Sequence, residues 1–377
     1  MNPAVLQPAE AGSRQLRIGF LDSWLQDSAG GSGTAVAIGG LAEALIARGH
    51  RVERIGPRGS WPRNLLLRRL WFNLTLPQRL LGVSGALPYD LVVGFDIDGF
   101  RLAHRSPVPY VCSIKGVLAE EARCERGLAR LMLWGLSRLE RLHARRSPRV
   151  LSTSAYCCDR ITAHYGVAAS RQAVVPEGID PEIWRSDPPG SIHPSRHPFT
   201  VLCVAHQYAR KRIKDLIAAF PLVLAQLPEA RLVVIGDGPE HGALREQVAE
   251  LGVGSSVQLL GALASDQEVR AWYRRASIFC LPSIQEGFGI VFLEAMASGL
   301  PVVSTTATAI PEVVPDGRAG LLVPPRDPPA LAAAMVALLS DAELQERCRV
   351  FGLEQAARFD WDRVASLFLA AAEQPGS

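Results

Sequence analysis

The chain has 377 residues, 48% of them hydrophobic and 20% charged, with a formal net charge of +3. It is too apolar and too weakly charged to remain disordered, and longer than the size at which a single hydrophobic core usually keeps growing, so two domains are expected. Residues 1–190 carry 24 Lys and Arg against 17 Asp and Glu, whereas residues 191–377 carry 16 against 20. A basic first half points to an anionic partner, but its arginines stand singly among Leu and Ala without interleaved aromatics, which argues against nucleic acid.

Seven cysteines without a CxxC pair make neither a disulfide framework nor a zinc site, and they fit a reducing cytoplasm. The first fifteen residues lack a basic-then-apolar signal pattern. No uncharged apolar run reaches the ~18 residues of a membrane span. The expectation is a cytoplasmic protein, at most peripheral on the anionic inner face of the membrane.

Short apolar runs alternate with amphipathic stretches from end to end, which reads as α/β with helices covering parallel sheets. In chain order the pattern predicts a strand at 16–21, a glycine loop at 30–33, a helix at 34–48 ended by Gly49, and strands at 52–55, 91–95, 110–114 and 150–152, with one long helix at 119–146. Prolines between Arg185 and Pro198 forbid regular structure and mark a linker. The plan then restarts: strand 200–205, helix 213–226, strand 231–235, a tight turn at 236–239, helix 240–251 and strand 257–260, with alternation continuing through 301–304. The expected division is a first Rossmann-like domain at 1–187, a linker at 188–198, a second at 199–358, and a final helix within 359–377 packing back on the first. Two such domains would face each other across a cleft at the carboxyl ends of their sheets, where α/β sheets bind ligands.

The most informative stretch is Glu286-Gly287-Phe288-Gly289, four residues, then Glu294. A strand at 278–281 runs into this glycine-bearing loop and a helix begins at about Gly289, so unpaired N–H groups and the positive helix end offer a place for a diphosphate. The spacing puts Glu286 in the loop and Glu294 about a turn and a half into the helix, where the two could grip different parts of one ligand. From Glu294 alone, a carboxylate satisfied by backbone or by an arginine is an equal alternative.

This string resembles the signature of the family 4 glycosyltransferases at every fixed position, and the resemblance extends over nearly the whole chain. It implies the GT-B fold, two Rossmann-like domains facing across a cleft. It also implies a retaining transfer from a nucleotide-diphosphate sugar to a hydroxyl acceptor. No cofactor or metal is expected, because Lys211, nearby basic residues and a helix N-terminus already supply countercharge for the diphosphate. In the family the first Glu touches hydroxyls of the donor sugar and the second binds the nucleotide ribose, which assigns those roles to Glu286 and Glu294, with Gly287, Phe288 and Gly289 in the donor loop. Lys211 matches the family's lysine at the donor diphosphate, but the family's Gly-Arg pair is Ala205-His206, so His206, Arg210 or Arg212 must replace the missing arginine. Gly236-Asp237-Gly238 after a strand is also typical, lying beside the nucleotide.

In the first half, Gly30 to Gly33 match the family's glycine loop, where N–H groups face the transferred sugar, with Gly33 nearest. The rival for this loop, a nicotinamide-cofactor fingerprint with Glu53 as ribose ligand, lacks its third glycine, since Val36 stands there. Where many members carry a His after the fourth strand, this chain has Lys115, assigned to a donor hydroxyl or an acidic acceptor. Pro176-Glu177-Gly178-Ile179-Asp180 resembles the family's Pro-Asn-Gly-Val-Asp, with Glu for Asn, and reads as structural. Asp96-Ile97-Asp98 has the spacing of a metal–diphosphate motif, but its place in the acceptor half favours acceptor contacts or a strand-end turn. Residues 63–74 mix arginines with large apolar side chains, as interfacial helices do, although a helix packed on the first sheet is favoured. A nucleotide-sugar epimerase or phosphorylase on the same fold, or an inactive nucleotide-sugar-binding subunit, are the alternatives.

Overall fold

The computed structural model of the chain describes residues 14–24, 33–57, 65–81, 87–185 and 198–373. The chain divides into two compact units: Met1–Gly178 together with Trp361–Ser377, and Ile179–Asp360.

The first unit holds six parallel strands: β1 (Arg17–Leu21), β2 (Arg51–Ile55), β3 (Leu91–Phe95), β4 (Tyr110–Ile114), β5 (Arg149–Ser152) and β6 (Gln172–Val174), in the order β2-β1-β3-β4-β5-β6. Every residue of β3 and β4 is buried, because helices cover both faces of a parallel sheet. Ile38, Leu41 and Leu45 of the helix Gly33–Ala47 pack with Val364, Phe368 and Leu369 of the final helix, Trp361–Glu373. The Trp361 ring lies so close to Gly40 and Gly178 that neither position has room for a Cβ. Phe72 and Leu76 of the helix Leu65–Leu81 join a second cluster, so the arginine-rich stretch is indeed a helix packed in this unit. A third cluster gathers Cys157, Ile161 and Tyr165 against β4 and β5.

The structure differs from the sequence reading in places. The single helix at 119–146 is two, Leu118–Cys124 and Gly127–Arg146, broken where Gly127 takes φ +58°, a conformation glycine adopts without strain. The expected first domain ran to 187; the first compact unit runs to Gly178, and Ile179 onward clusters with the second. Ile179 is buried in the second unit's core, its N–H donates to the Phe359 carbonyl at 2.8 Å, and Trp184 packs edge-on against Tyr273. The expected linker falls almost wholly on residues 186–197, which lie outside the described residues. Strand β6, three half-buried residues, had no alternation long enough to announce it.

The second unit also has six parallel strands: β7 (Thr200–Val204), β8 (Arg231–Ile235), β9 (Val257–Gly261), β10 (Ile278–Cys280), β11 (Val302–Thr305) and β12 (Gly320–Val323), ordered β12-β11-β10-β7-β8-β9. The chain builds outward from β7 through β8 to β9, then returns to lay β10 against the other side of β7. Strand order therefore reverses between β7 and β10, the place where open α/β sheets generally bind ligands. Both units are Rossmann-like, so the fold is α/β of the double-Rossmann kind.

Candidate nucleotide-sugar site

The site at β7 and β10 is built from two loops bonded to each other. After β7 the chain passes through Ala205 to Lys211 into the helix Ile213–Leu224, and after β10 through Ser283 to Gly289 into the helix Ile290–Ala297. Ile284 N donates to the Arg210 carbonyl at 2.9 Å, and Ser283 Oγ donates to the same oxygen at 3.2 Å. Lys211 Nζ meets Glu286 Oε1 at 2.6 Å, and both side chains are largely withdrawn from water. A pair so placed is held by a charge-assisted hydrogen bond that water screens little. Glu286 is anchored again through its N–H, which donates to Thr308 Oγ1 at 3.0 Å.

The glycines have separate reasons. Gly289 takes φ +92°, and a Cβ there would meet the Phe292 ring at 2.6 Å, so the loop turns into the helix only with glycine. No side chain caps that helix start; Phe292 N donates to the Gly289 carbonyl at 3.0 Å, which leaves the Ile290 and Val291 N–H groups for a ligand or water. Gly236, at φ +119°, presses on the Ala205 carbonyl, and a Cβ on Gly238 would meet Gln207 N at 2.8 Å. Gln207 locks this turn, its Nε2 donating to the Gly236 carbonyl at 2.6 Å and its Oε1 facing His241 Nδ1 at 2.9 Å.

Glu294 lies on the helix Ile290–Ala297, with Tyr273 Oη–H donating to its Oε2 at 3.0 Å. Burial pushes its pKa up to about 7, against the opposing pull of the tyrosine hydrogen bond. Of the three candidates for the absent arginine, Arg212 is tied to Asp215 by two bonds of 2.7 Å. His206 is exposed at the end of β7, its ring centroid 6.0 Å from that of Tyr208, and the Arg210 guanidinium sits 4.8 Å from the Tyr208 ring centroid. Phe288, expected in the donor loop, is buried and packs edge-on against Phe359, which anchors the loop in the core.

In the first unit, Gly33 begins the helix Gly33–Ala47, and the glycines before it lie outside the described residues. Lys115 follows β4 but is not an open ammonium. Its Nζ pairs with Glu177 Oε2 at 3.1 Å, both side chains nearly fully buried, and its backbone N–H donates to Asp96 Oδ1 at 3.0 Å. Asp96 and Asp98, expected at the acceptor, are held by the protein's own donors. Asp98 is fully buried, accepting from Ser23 N at 2.9 Å, Ser23 Oγ at 2.6 Å and Asn73 Nδ2 at 2.9 Å. Asp96 also accepts from Trp24 Nε1 at 3.2 Å, and burial pushes its pKa up to about 6, Arg69 opposing. Together they tie residues 23 and 24, the helix Leu65–Leu81 and the end of β4 into one strand-end turn. Among the described residues no three His, Cys, Asp or Glu gather as a metal-ligand set.

Sequence reasoning passed over Tyr273, Gln207, Thr308 and the pairing role of Glu177. Only Glu177 carried a signal, as the acid standing where the resembled motif has Asn.

Two Rossmann-like units, one with glycine loops and a Lys–Glu pair at its strand-order reversal, have the plan of the GT-B fold. Residues 31–183 match the family described as Glycosyltransferase Family 4, and residues 198–341 match Glycosyl transferases group 1. The chain belongs to the family 4 glycosyltransferases. It is similar to the phosphatidyl-myo-inositol mannosyltransferase of Mycobacterium leprae, 35% identical over 53% of this chain and 52% of that protein, so the match spans about half of that relative. In fold it is similar to the sucrose-phosphate synthase of Thermosynechococcus elongatus, with a TM-score of 0.75 and 21% identity over 93% of this chain and 96% of that one. It is similar also to HepE of Anabaena in complex with UDP-glucose, with a TM-score of 0.70 and 20% identity over 95% and 99%.

Proposed function

We propose that this protein moves a sugar from a nucleotide-diphosphate sugar to a hydroxyl acceptor, whether glycan, lipid-linked or small molecule, with retention of configuration and without a metal ion. The observation that carries the reading is the 2.6 Å Lys211–Glu286 contact, which places the cation and the acid of the two family motifs side by side at the reversal of strand order. The diphosphate takes over Lys211 and the N–H groups of the helix start, Glu286 is released to the sugar hydroxyls, and Glu294 accepts from the ribose. The acceptor oxygen attacks C1 from the face the diphosphate leaves. The C1–O bond to phosphate breaks as the new C1–O bond forms, and the departing phosphate oxygen takes the acceptor proton. Lys211, aided by Arg210 or His206, stabilises the growing phosphate charge. The UDP-glucose held by the Anabaena neighbour supports a nucleotide-sugar donor.

Acceptor binding belongs to the first unit in this reading, with Lys115 serving a donor or acceptor group from its place beside Glu177. The excess of 24 cations over 17 anions in residues 1–190 supports work in the cytoplasm at the anionic inner face of a membrane. Among the described residues no helix is long and apolar enough to cross one.

Incubation with candidate nucleotide sugars, following release of nucleotide diphosphate, tests the reading, and release should rise sharply with acceptor. An epimerised donor without release, sugar phosphate formed only with added phosphate, or binding without turnover would replace it with an epimerase, a phosphorylase or an inactive subunit respectively. Activity should survive a chelator; loss restored by manganese or magnesium would overturn the metal-free part.

A further inference from the structure

The helix Gly127–Arg146 half-buries Leu133, Leu136, Leu139 and Leu142 but leaves other large apolar side chains in the open. Its inward face is Ser137, Glu140, His143 and Ala144, all buried. Its outward face carries Leu128, Leu131 and Trp134, which are 79%, 61% and 50% exposed and, three residues apart, form one stripe, with Met132 exposed beside it. A surface helix normally buries its apolar stripe, and large apolar side chains grouped in the open mark an interaction site.

The charges on the same helix indicate what kind of surface it meets. Arg130, Arg138, Arg141 and Arg145 are exposed along the stripe, and the Arg138 guanidinium lies 3.8 Å from the Trp134 ring centroid. Glu140 is the only acid, and it is withdrawn, its Oε2 accepting from Leu118 N and from the Tyr165 hydroxyl. Everything this helix exposes in charge is therefore positive. A two-fold contact with a second copy would set these arginines against themselves, and the middle of a protein interface is usually depleted of unpaired charge. Leucines and a tryptophan bordered by arginines instead match what a lipid interface takes, apolar groups entering among the acyl chains and cations remaining at anionic headgroups.

We propose that this outward face docks on an anionic lipid surface. The proposal deepens the membrane element of the function proposed above and is measured without donor or acceptor, so its failure leaves sugar transfer untouched. The full chain is sedimented with vesicles of phosphatidylcholine, with and without phosphatidylglycerol, at low and moderate salt. Binding is expected only with phosphatidylglycerol and should weaken as salt rises. Arg130→Gln with Arg138→Gln and Arg141→Gln should lower partitioning on the order of a hundredfold. Leu128→Ser with Leu131→Ser should lower it at both salts. These positions are exposed, and circular dichroism is to check that the variants fold. Equal partitioning of wild type and both variants would overturn the proposal. So would a wild-type dimer that the leucine variant dissolves without any vesicle binding, because that result gives the face to a second copy.

Discussion

The two units share one architecture and spend it differently. Among the described residues the second unit has one continuous core beneath β7 to β12, and its site loops are bonded to each other at the strand-order reversal. The first unit divides its apolar contacts among three clusters, buries Asp96, Asp98 and Glu140, and turns a leucine stripe outward. In the proposed reading the second unit grips the donor by backbone and a few charges within uniform packing, and the first unit, whose buried carboxylates tie loops together, leaves apolar groups outside for surface contact.

The strongest way to break this contrast is at Lys211. Lys211→Ala should lower kcat by about 10²–10³-fold, the scale for losing a preorganised electrostatic contact, and Glu286→Ala should do at least as much while circular dichroism remains native. Wild-type turnover in both would remove the reaction from the second unit. Adding His206→Ala or Arg210→Ala to Lys211→Ala identifies the substitute for the absent arginine, since only the one facing the phosphate deepens the defect.

In the first unit, Asp98→Ala should act through stability. Ser23 and Asn73 lose a buried acceptor, which costs about 3 kcal/mol and should appear as a lower Tm with nucleotide affinity unchanged. Lost activity at an unmoved Tm would return Asp98 to the reaction.

Glu294 sharpens the second unit by pH. Its carboxyl pKa is raised to about 7, and in the proposed role it is the ionised form that accepts from the ribose hydroxyls. Nucleotide affinity should therefore climb as pH rises through about 7, with proton release seen in calorimetry, and Glu294→Gln should flatten the profile. The stability linked to the same proton has the opposite sign, being full below the ordinary value of 4.5 and lost as pH rises through about 7. A pH-independent affinity in the wild type would take Glu294 off the ribose.

The smallest effect is expected at Glu177→Gln, which keeps a hydrogen bond to Lys115 and removes the charge. Turnover should fall by about tenfold, the scale of one charged hydrogen bond. Unchanged turnover with a lowered Tm would make the Lys115–Glu177 pair structural only.

Most of the architecture was legible before any coordinates. β3, β4 and β8 fall at the expected residues, because strands buried on both faces read as unbroken apolar runs between turn residues. The donor loop was legible for a similar reason: Glu286, Gly289 and Glu294 lie within nine consecutive residues, and a glycine-bearing loop feeding a helix is a local object. Only the tertiary structure decided which side chains answer one another across long stretches of chain. Lys211 and Glu286 stand 75 residues apart, Lys115 and Glu177 62, and Tyr273 reaches Glu294 from another helix. Periodicity reports which face of an element is buried but not what lies opposite it. For that reason Asp98 could not be distinguished in sequence from an acceptor ligand, nor the outward leucines of residues 128–134 from core, until the sheet and its helices placed them.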